Sequence, residues 1–200
     1  MKKIISVILI VCCMLTVCSC SAIKNKFGKK DENSPIAPFE TAAANTNASN
    51  VIVDIEKETE LGKLTSKLEV NFANDGSASI VYTYEKFNRI GEGAEDEIKS
   101  TVTCNIVRAA DGTYSGDMPE GLDLSAVSAA PALKLESVKD AAVVNEKGDT
   151  LTVAVPADVS AAVYGSALSY DSELEIFIKN GAVSLMEITF EGGKITYQYA

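Results

Sequence analysis

Alternation of apolar and polar residues dominates the C-terminal part of the chain. Between residues 174 and 178 every second position is Leu or Ile, and Asn180-Gly181 follows. Because Asn and Gly accept the positive φ angles of a two-residue turn, this pattern predicts a hairpin. An apolar run at 183–190 then meets Gly192-Gly193, and alternation resumes as far as residue 199. The C-terminus is therefore predicted to be a three-stranded antiparallel meander.

The same pattern recurs from residue 51 onward. Alternating segments at 68–72 and 80–84 flank Asn74-Asp75-Gly76, which predicts another hairpin. Further strands are predicted at 51–55, 98–108, 143–144 and 151–155.

Two segments interrupt the strands. Pro156 begins a short predicted helix that reaches Tyr164, with Gly165 as its C-terminal stop. Pro131 limits any helix in the Ala-rich stretch 122–135, where Ser125 is a candidate N-cap. Together the elements predict a β-dominated α+β fold, in which a curved antiparallel sheet of about seven to nine strands packs on one or two short helices.

Composition restricts the chemistry that this fold can carry. The chain has 28 acidic residues against 18 basic ones, a net charge of -10, and it has no His and no Trp. A nucleic-acid interface needs a surplus of Lys and Arg, so this class of partner is not expected. Without His, neither a Ser-His-Asp or Cys-His nucleophile nor a His-ligated metal site can be assembled. We therefore expect no cofactor and no resident metal.

The N-terminus has the pattern of an export signal. Lys2 and Lys3 precede an apolar run at 4–17 that is interrupted only by Ser6 and Thr16. As a helix this run would be about 21 Å long, which is short of the ~30 Å hydrocarbon core of a bilayer. A targeting segment is favoured over a permanent membrane span.

The sequence Val17-Cys18-Ser19-Cys20 that ends this segment resembles the lipobox of bacterial lipoprotein precursors. The resemblance implies cleavage before Cys20, diacylglycerol on its sulfur, and attachment to the extracytoplasmic face of a membrane. Cys18 is an unusual residue for the middle of the motif. The competing frame ends at Cys18 and would place the bulkier Val17 beside the cleavage site. An ordinary secretory signal and an uncleaved anchor are alternatives, and both would also export the chain.

These observations divide the chain into a signal peptide at 1–19, a lipidated Cys20 with a flexible tether at 20–50, and one β-rich exported domain at 51–200. The tether has four lysines and no acid between residues 21 and 30, and it then becomes rich in Asn, Ser, Thr and Ala. Such a composition builds no core, and Ala42-Ala43-Ala44 has no apolar face to bury. Removal of residues 21–50 is therefore expected to leave the domain's stability unchanged.

Cys104 and the acidic residues are the candidate catalytic groups of this chain. Cys104 alternates in step with Val102 and Ile106, which predicts a core position with little thiolate. Two acidic clusters lack the spacing of a calcium loop and are expected to be solvated, although a carboxylate-based hydrolase would need two of them to converge. The clusters are Glu92, Glu95, Asp96 and Glu97, and Asp111, Asp117, Glu120 and Asp123.

Two pairs of tyrosines form the one candidate binding patch. Tyr82 and Tyr84 share one strand face, and so do Tyr197 and Tyr199. If both strands lie on the same concave side, the four rings would form an amphipathic patch for a lipid, peptide or sugar. The alternative is cross-strand core packing with the hydroxyls at the rim.

The predicted layout also resembles the half-barrel domains of envelope lipoproteins and lipoprotein carriers, although no motif carries this resemblance and it assigns no residue. The leading hypothesis is a non-enzymatic, membrane-anchored envelope protein that binds a protein partner or an apolar ligand. A cavity under the sheet would favour ligand binding, whereas a filled core would favour a structural or protein-binding role. The carboxylate-based hydrolase is the enzyme alternative.

Overall fold

Our computed structural model describes residues 34–89, 97–120, 122, 124, 128–164 and 168–200. This part of the chain contains ten strands, two α-helices and two 3-10 helices. The helices are α1 (Ala37–Asn45) and α2 (Ser160–Tyr164), and the 3-10 helices span Glu136–Ala141 and Ala157–Val159. The strands are β1 (Asn50–Thr59), β2 (Gly62–Phe72), β3 (Ala78–Arg89), β4 (Glu97–Arg108), β5 (Tyr114–Gly116), β6 (Ala142–Val144), β7 (Thr150–Val155), β8 (Ser172–Lys179), β9 (Ala182–Phe190) and β10 (Gly193–Tyr199).

All ten strands belong to one curved, unclosed antiparallel sheet. Their order is β5-β4-β3-β2-β1-β10-β9-β8-β7-β6, so the sheet consists of two five-stranded meanders joined where β1 pairs with β10. Asn50 and Ala200 exchange backbone hydrogen bonds of 2.8 and 2.9 Å at this seam. The predicted β-dominated α+β class is confirmed, with ten strands in place of seven to nine.

The two faces of the sheet differ sharply. Along each long strand the buried residues alternate with solvated ones, and the register places the buried residues of neighbouring strands opposite one another, as in Val51↔Val70 and Val70↔Ile80. The helices and the long connections cover this buried side. We call it the concave face and the opposite side the convex face.

The segment before β1 differs from the predicted tether. Ile36 and Phe39 are 1% and 0% exposed, and α1 packs against β8 and β9. At the end of the helix, Thr46 Oγ1 accepts a hydrogen bond of 3.0 Å from Val183 N and donates one of 2.8 Å to Ala42 O. The prediction that residues 34–50 contribute nothing to the core is therefore wrong, although the proposed limits of signal and domain stay predictions.

Helix α1 has no continuous apolar stripe, but its small residues allow the helix backbone to pack closely against the sheet. Pro38 lies in its first turn, where the missing N–H is no loss. Ala42 and Ala43 are small enough for the helix backbone to approach the sheet, and Phe39 supplies the bulk that fills the gap. A segment without a long apolar face thus still buries one large ring and several methyl groups.

The connection between β5 and β6 completes the cover. Leu124 and Leu135 are 1% and 0% exposed, and Tyr114 Oη donates a hydrogen bond to Leu124 O. Ala48 N donates to Ala129 O at 2.9 Å, which links the connection to the segment that follows α1. Residues 128–135 are not helical, and the candidate N-cap Ser125 lies outside the described residues.

Among the described residues, no helix is long and apolar enough to cross a membrane. The predicted export signal and Cys20 lie outside those residues.

Candidate ligand-binding face

The strand register settles where the two tyrosine pairs lie. Tyr82 is opposite Leu68, Leu68 is opposite Val53, and Val53 is opposite Tyr197. Both pairs therefore lie on the concave face, as the patch hypothesis requires. Strands β2 and β1 separate them, so the two pairs are about 14 Å apart, three interstrand spacings.

Within each pair, the two tyrosine rings stack on each other. The ring centroids of Tyr82 and Tyr84 are 5.2 Å apart, and those of Tyr197 and Tyr199 are 6.4 Å apart. Tyr82 is 6% exposed and belongs to the hydrophobic core, whereas the other three rings are half-buried. Tyr82 is thus a core residue, whereas Tyr84, Tyr197 and Tyr199 pack against the core and keep part of their surface accessible.

Tyr197 and Tyr199 pack against the hydrophobic core. Burial raises the pKa of both phenols far above the usual value, and each is raised further by a neighbouring phenol, Tyr164 for Tyr197 and Tyr197 for Tyr199. Both side chains nevertheless keep some accessible surface.

Tyr164 belongs to the same group of phenols. It lies at the C-terminus of α2, its hydroxyl is 3.0 Å from Ser172 Oγ, and burial raises its pKa to about 12. Sequence reasoning missed this residue. No local pattern indicates it, because its position depends on how the β7–β8 connection folds back over the sheet.

On strands β1 to β4 the concave face is less buried toward the end of the sheet that carries the β1–β2 turn. Val53, Leu68 and Tyr82, which form one line across three strands, are at most 7% exposed. The next line toward that turn, Ile55, Ser66 and Tyr84, is half-buried. Val102, opposite Tyr84, and Leu64 are also half-buried. We call these five residues the upper rim: Ile55, Leu64, Ser66, Tyr84 and Val102.

Strands β2 and β3 stop pairing at the upper rim. Their ladder ends at Ser66↔Tyr84. Beyond it the Glu85 carboxylate takes the place of a strand partner, since its Oε2 accepts hydrogen bonds of 2.7 Å from both N and Oγ1 of Thr65. The ladder thus ends where the side chains of the concave face become partly accessible. The alternation of residues predicts that Ile55 and Ser66 lie on this face, but it does not predict that they are partly accessible.

Cys104 is buried, as predicted, and is 7% exposed. Burial raises the pKa of its thiol, and the Asp117 carboxylate raises it further. A thiol in this environment carries little thiolate and is a weak nucleophile.

The acidic clusters contribute no site within the described residues. Asp111 accepts hydrogen bonds from Thr113 N and Oγ1 at 2.9 and 2.7 Å, and these bonds lower the pKa of its carboxyl. Asp117 and Glu120 are exposed. The described part of the chain contains no group of three or more His, Cys, Asp or Glu residues that could hold a metal ion. Glu92, Glu95, Asp96 and Asp123, and the side chain of Glu97, lie outside the description.

Comparison with known proteins gives only a loose likeness. No protein-family model matches the chain, and no curated protein matches it. A solved domain named as an outer membrane lipoprotein-sorting protein from Vibrio parahaemolyticus aligns with 82% of this chain and 89% of its own length, at 10% identity and a TM-score of 0.27. A DUF1329 family protein from Desulfovibrio piger aligns with 84% of this chain and 92% of its own, at 10% identity and a TM-score of 0.25. TM-scores this low describe a likeness of layout and carry no argument about activity.

Proposed function

We propose that the chain is a lipid-anchored protein of the extracytoplasmic side of a membrane, and that its sheet domain binds an apolar ligand on the concave face without catalysing a reaction. The observation that supports ligand binding most directly is the aromatic surface of Tyr84, Tyr197 and Tyr199, which the register places on one face of the sheet. The three rings pack against the core and keep part of their surface accessible. A concave, mostly apolar site with a few polar groups is the usual form of a small-molecule site.

The upper rim provides the second part of the argument. Ile55, Tyr84 and Val102 are half-buried and pack against the core beside the buried line of Val53 and Leu68, and each keeps part of its apolar surface accessible. A ligand tail laid along the concave face would remove this surface from water, and each buried methylene contributes about 0.8 kcal/mol. A tail of moderate length could thus bind without any catalytic group.

The anchor is supported by the sequence. Val17-Cys18-Ser19-Cys20 follows a charged and then an apolar segment, in the order expected of a lipoprotein precursor. Two acyl chains on Cys20 would hold the protein at a membrane, whereas a single chain gives marginal binding.

A structural or protein-binding role is the second candidate function. Much of the concave face is filled, because α1 and the β5–β6 connection bury Phe39, Leu124 and Leu135 against it. A filled core of this kind leaves less room for a ligand than an empty half-barrel would. Direct measurement of ligand binding decides between the two.

The ligand-binding proposal is tested with N-phenyl-1-naphthylamine, a neutral probe that fluoresces in apolar sites. We expect the full chain carrying Cys20→Ser to enhance its fluorescence saturably. Tyr84→Ser and Tyr197→Ser should each weaken binding about five- to thirtyfold, the effect of losing about 1–2 kcal/mol of apolar contact. Phe177→Ser is the matched control, because this half-buried aromatic residue is opposite Leu185 on the convex face. Absence of saturable binding by a folded protein would favour the structural role.

The anchor is tested by growing cells with labelled palmitate. Cys20→Ser should abolish incorporation and shift the protein to the soluble fraction, whereas Cys18→Ser should leave both unchanged. Label retained in the Cys20→Ser protein but lost in the Cys18→Ser protein would move the lipid to the competing frame. An unlabelled parent protein would contradict the anchor altogether.

A further inference from the structure

Charge is divided unequally between the two faces of the sheet. The convex face carries both signs, and four of its lysines are each paired with a glutamate. The pairs are Lys63–Glu56 at 2.6 Å, Lys67–Glu69 at 2.5 Å, Lys99–Glu85 at 2.8 Å and Lys194–Glu187 at 2.6 Å. These pairs are partly exposed and occupy a face that is open to water, so they need no further function.

The concave face has no acidic residue at any position of the ten strands. Alternation and register place only three charged residues there, Lys57, Lys86 and Arg108, and all are basic. In a chain with a net charge of -10, this distribution departs from the overall composition. The charge that the strands place on this side of the sheet is therefore positive, although the Asp117 carboxylate of the connection after β5 lies near Cys104 on the same side.

Lys57 and Lys86 lie directly beyond the upper rim. Lys57 follows Ile55 by two residues on β1, and Lys86 follows Tyr84 by two residues on β3, so each lysine continues the line of an apolar rim residue. Lys57 is opposite Leu64, and Lys86 is opposite Ser100. The two strands are separated by β2, which places the lysines about 10 Å apart or more.

Neither lysine is neutralised by the described part of the protein. Lys57 is half-buried and Lys86 is exposed, and neither makes an ion pair with any described residue, in contrast to the four convex lysines. A half-buried ammonium group beside apolar surface is more favourable when an anion balances it. Within the described residues, the arrangement therefore combines apolar surface with two lysines that make no ion pair.

From this juxtaposition we propose that the ligand of the concave face is an anionic amphiphile, whose apolar tail lies along the upper rim and whose negatively charged head is held by Lys57 and Lys86. The inference rests on the proposed ligand-binding function and adds the chemical class of the ligand. The head group is a carboxylate or a phosphate, as in a fatty acid or a phospholipid. Both supply acceptor oxygens for charge-assisted hydrogen bonds from ammonium groups.

The experiment compares amphiphiles of equal tail length and different head charge. The full chain carrying Cys20→Ser is titrated with myristate, with 14-carbon lysophosphatidylglycerol and with 14-carbon lysophosphatidylcholine, each below its micelle concentration, and displacement of N-phenyl-1-naphthylamine is measured. We expect at least one of the two anionic compounds to bind about tenfold more tightly than the zwitterionic compound, as two partly solvated charge contacts would give. Preference for myristate alone would assign a carboxylate head, and preference for lysophosphatidylglycerol alone would assign a phosphate.

Two double variants distinguish an effect of Lys57 and Lys86 on ligand preference from an effect of the protein's net charge. Lys57→Gln combined with Lys86→Gln should remove the preference and leave lysophosphatidylcholine affinity unchanged. Lys63→Gln combined with Lys67→Gln removes the same charge from the convex face and should keep the preference. The same titration in 1 M salt is an independent test of the protein that keeps both lysines. At this concentration the screening length is about 3 Å, so the preference for anionic compounds should be lost.

The outcomes distinguish the two levels of the proposal. If the zwitterionic compound binds as tightly as both anionic ones, or if the preference survives in the Lys57→Gln, Lys86→Gln protein, the anionic head assignment is wrong while the apolar site stands. If a folded protein binds neither the probe nor any of the three amphiphiles, the proposed ligand-binding function itself fails.

Discussion

Substitution of Phe39 measures whether the segment before the first strand belongs to the folded domain. Phe39 is 0% exposed and lies on α1, which packs against β8 and β9. Phe39→Ala would remove most of a buried ring and leave a cavity between the helix and the sheet. Truncation of a buried Phe to Ala costs about 3–5 kcal/mol.

The expected change in melting temperature follows from the size of the domain. Unfolding entropy near 60 °C is about 2.1 cal/mol/K per residue, or about 0.35 kcal/mol/K for a fold of this length. A loss of about 3–5 kcal/mol then lowers the Tm by about 9–14 °C. Deletion of residues 21–50, which removes Ile36 and Phe39 together, should lower the Tm by at least as much.

The assay is thermal unfolding followed by circular dichroism, with Phe177→Ala as the matched control. Phe177 is half-buried on the convex face, so its truncation should cost about 1 kcal/mol and lower the Tm by about 3 °C. Hydrogen exchange at Val183 N, which donates to Thr46 Oγ1, reports separately on whether α1 detaches before the sheet unfolds. If Phe39→Ala and the deletion leave both the Tm and this exchange rate unchanged, the helix is not part of the core and the packing argument is refuted.

Three further measurements test other parts of the structure. Cys104 should resist a thiol reagent in native buffer and react on unfolding, because burial raises the pKa of its thiol; rapid native labelling would contradict this placement. Tyr164, whose pKa is raised to about 12, keeps its proton when the unfolded chain has lost it, so stability should fall as pH rises from about 10 to 12, by about 1.4 kcal/mol per pH unit for this residue. Alkaline melting curves that do not move in this interval would refute that linkage. Gly116→Ala should cost about 1–3 kcal/mol more than Gly76→Ala, because both glycines have positive φ but an added Cβ at Gly116 would lie 2.3 Å from Asn105 O, whereas Gly76 has open space; equal Tm losses would show that the contact relaxes.

Local turn chemistry explains why the strands were predictable. Asn180 and Gly181 have φ angles of 55° and 77°, which are the angles that the Asn-Gly pair predicted for the β8–β9 hairpin. Gly76, at φ 85°, ends the β2–β3 turn in the same way. Each of these hairpins depends on residues that are close in sequence, so the pattern of apolar residues and turns was sufficient.

The position of α1 was not predictable by the same reasoning. Its sequence contains Pro38, Thr41 and several alanines, and its apolar residues do not form a continuous stripe. Phe39 is buried because β8 and β9, about 140 residues later in the chain, present a surface that the small alanines can approach. Composition alone therefore placed the segment in a flexible tether.

The candidate site was predictable only in its parts. Alternation placed Tyr82 beside Tyr84 and Tyr197 beside Tyr199, and it implies that Lys57 and Lys86 follow on the same strand faces. It did not show that the pairing of β1 with β10 brings both meanders onto one concave surface. It also did not show that the β2–β3 ladder ends at Ser66, where the rim is partly accessible.

By itself, the amino-acid sequence determined the strands, their turns and the faces that their side chains share, because these depend on backbone preferences and a two-residue period. It also determined which chemistry the chain lacks, since a protein without His cannot assemble His-based sites. Only the tertiary structure decided that β1 and β10 join the two meanders, that α1 covers the sheet, and that the strand positions of the concave face are basic without acidic ones. These features come from contacts between residues far apart in the chain, whose energies depend on shape and burial in three dimensions and leave no periodic pattern in the sequence.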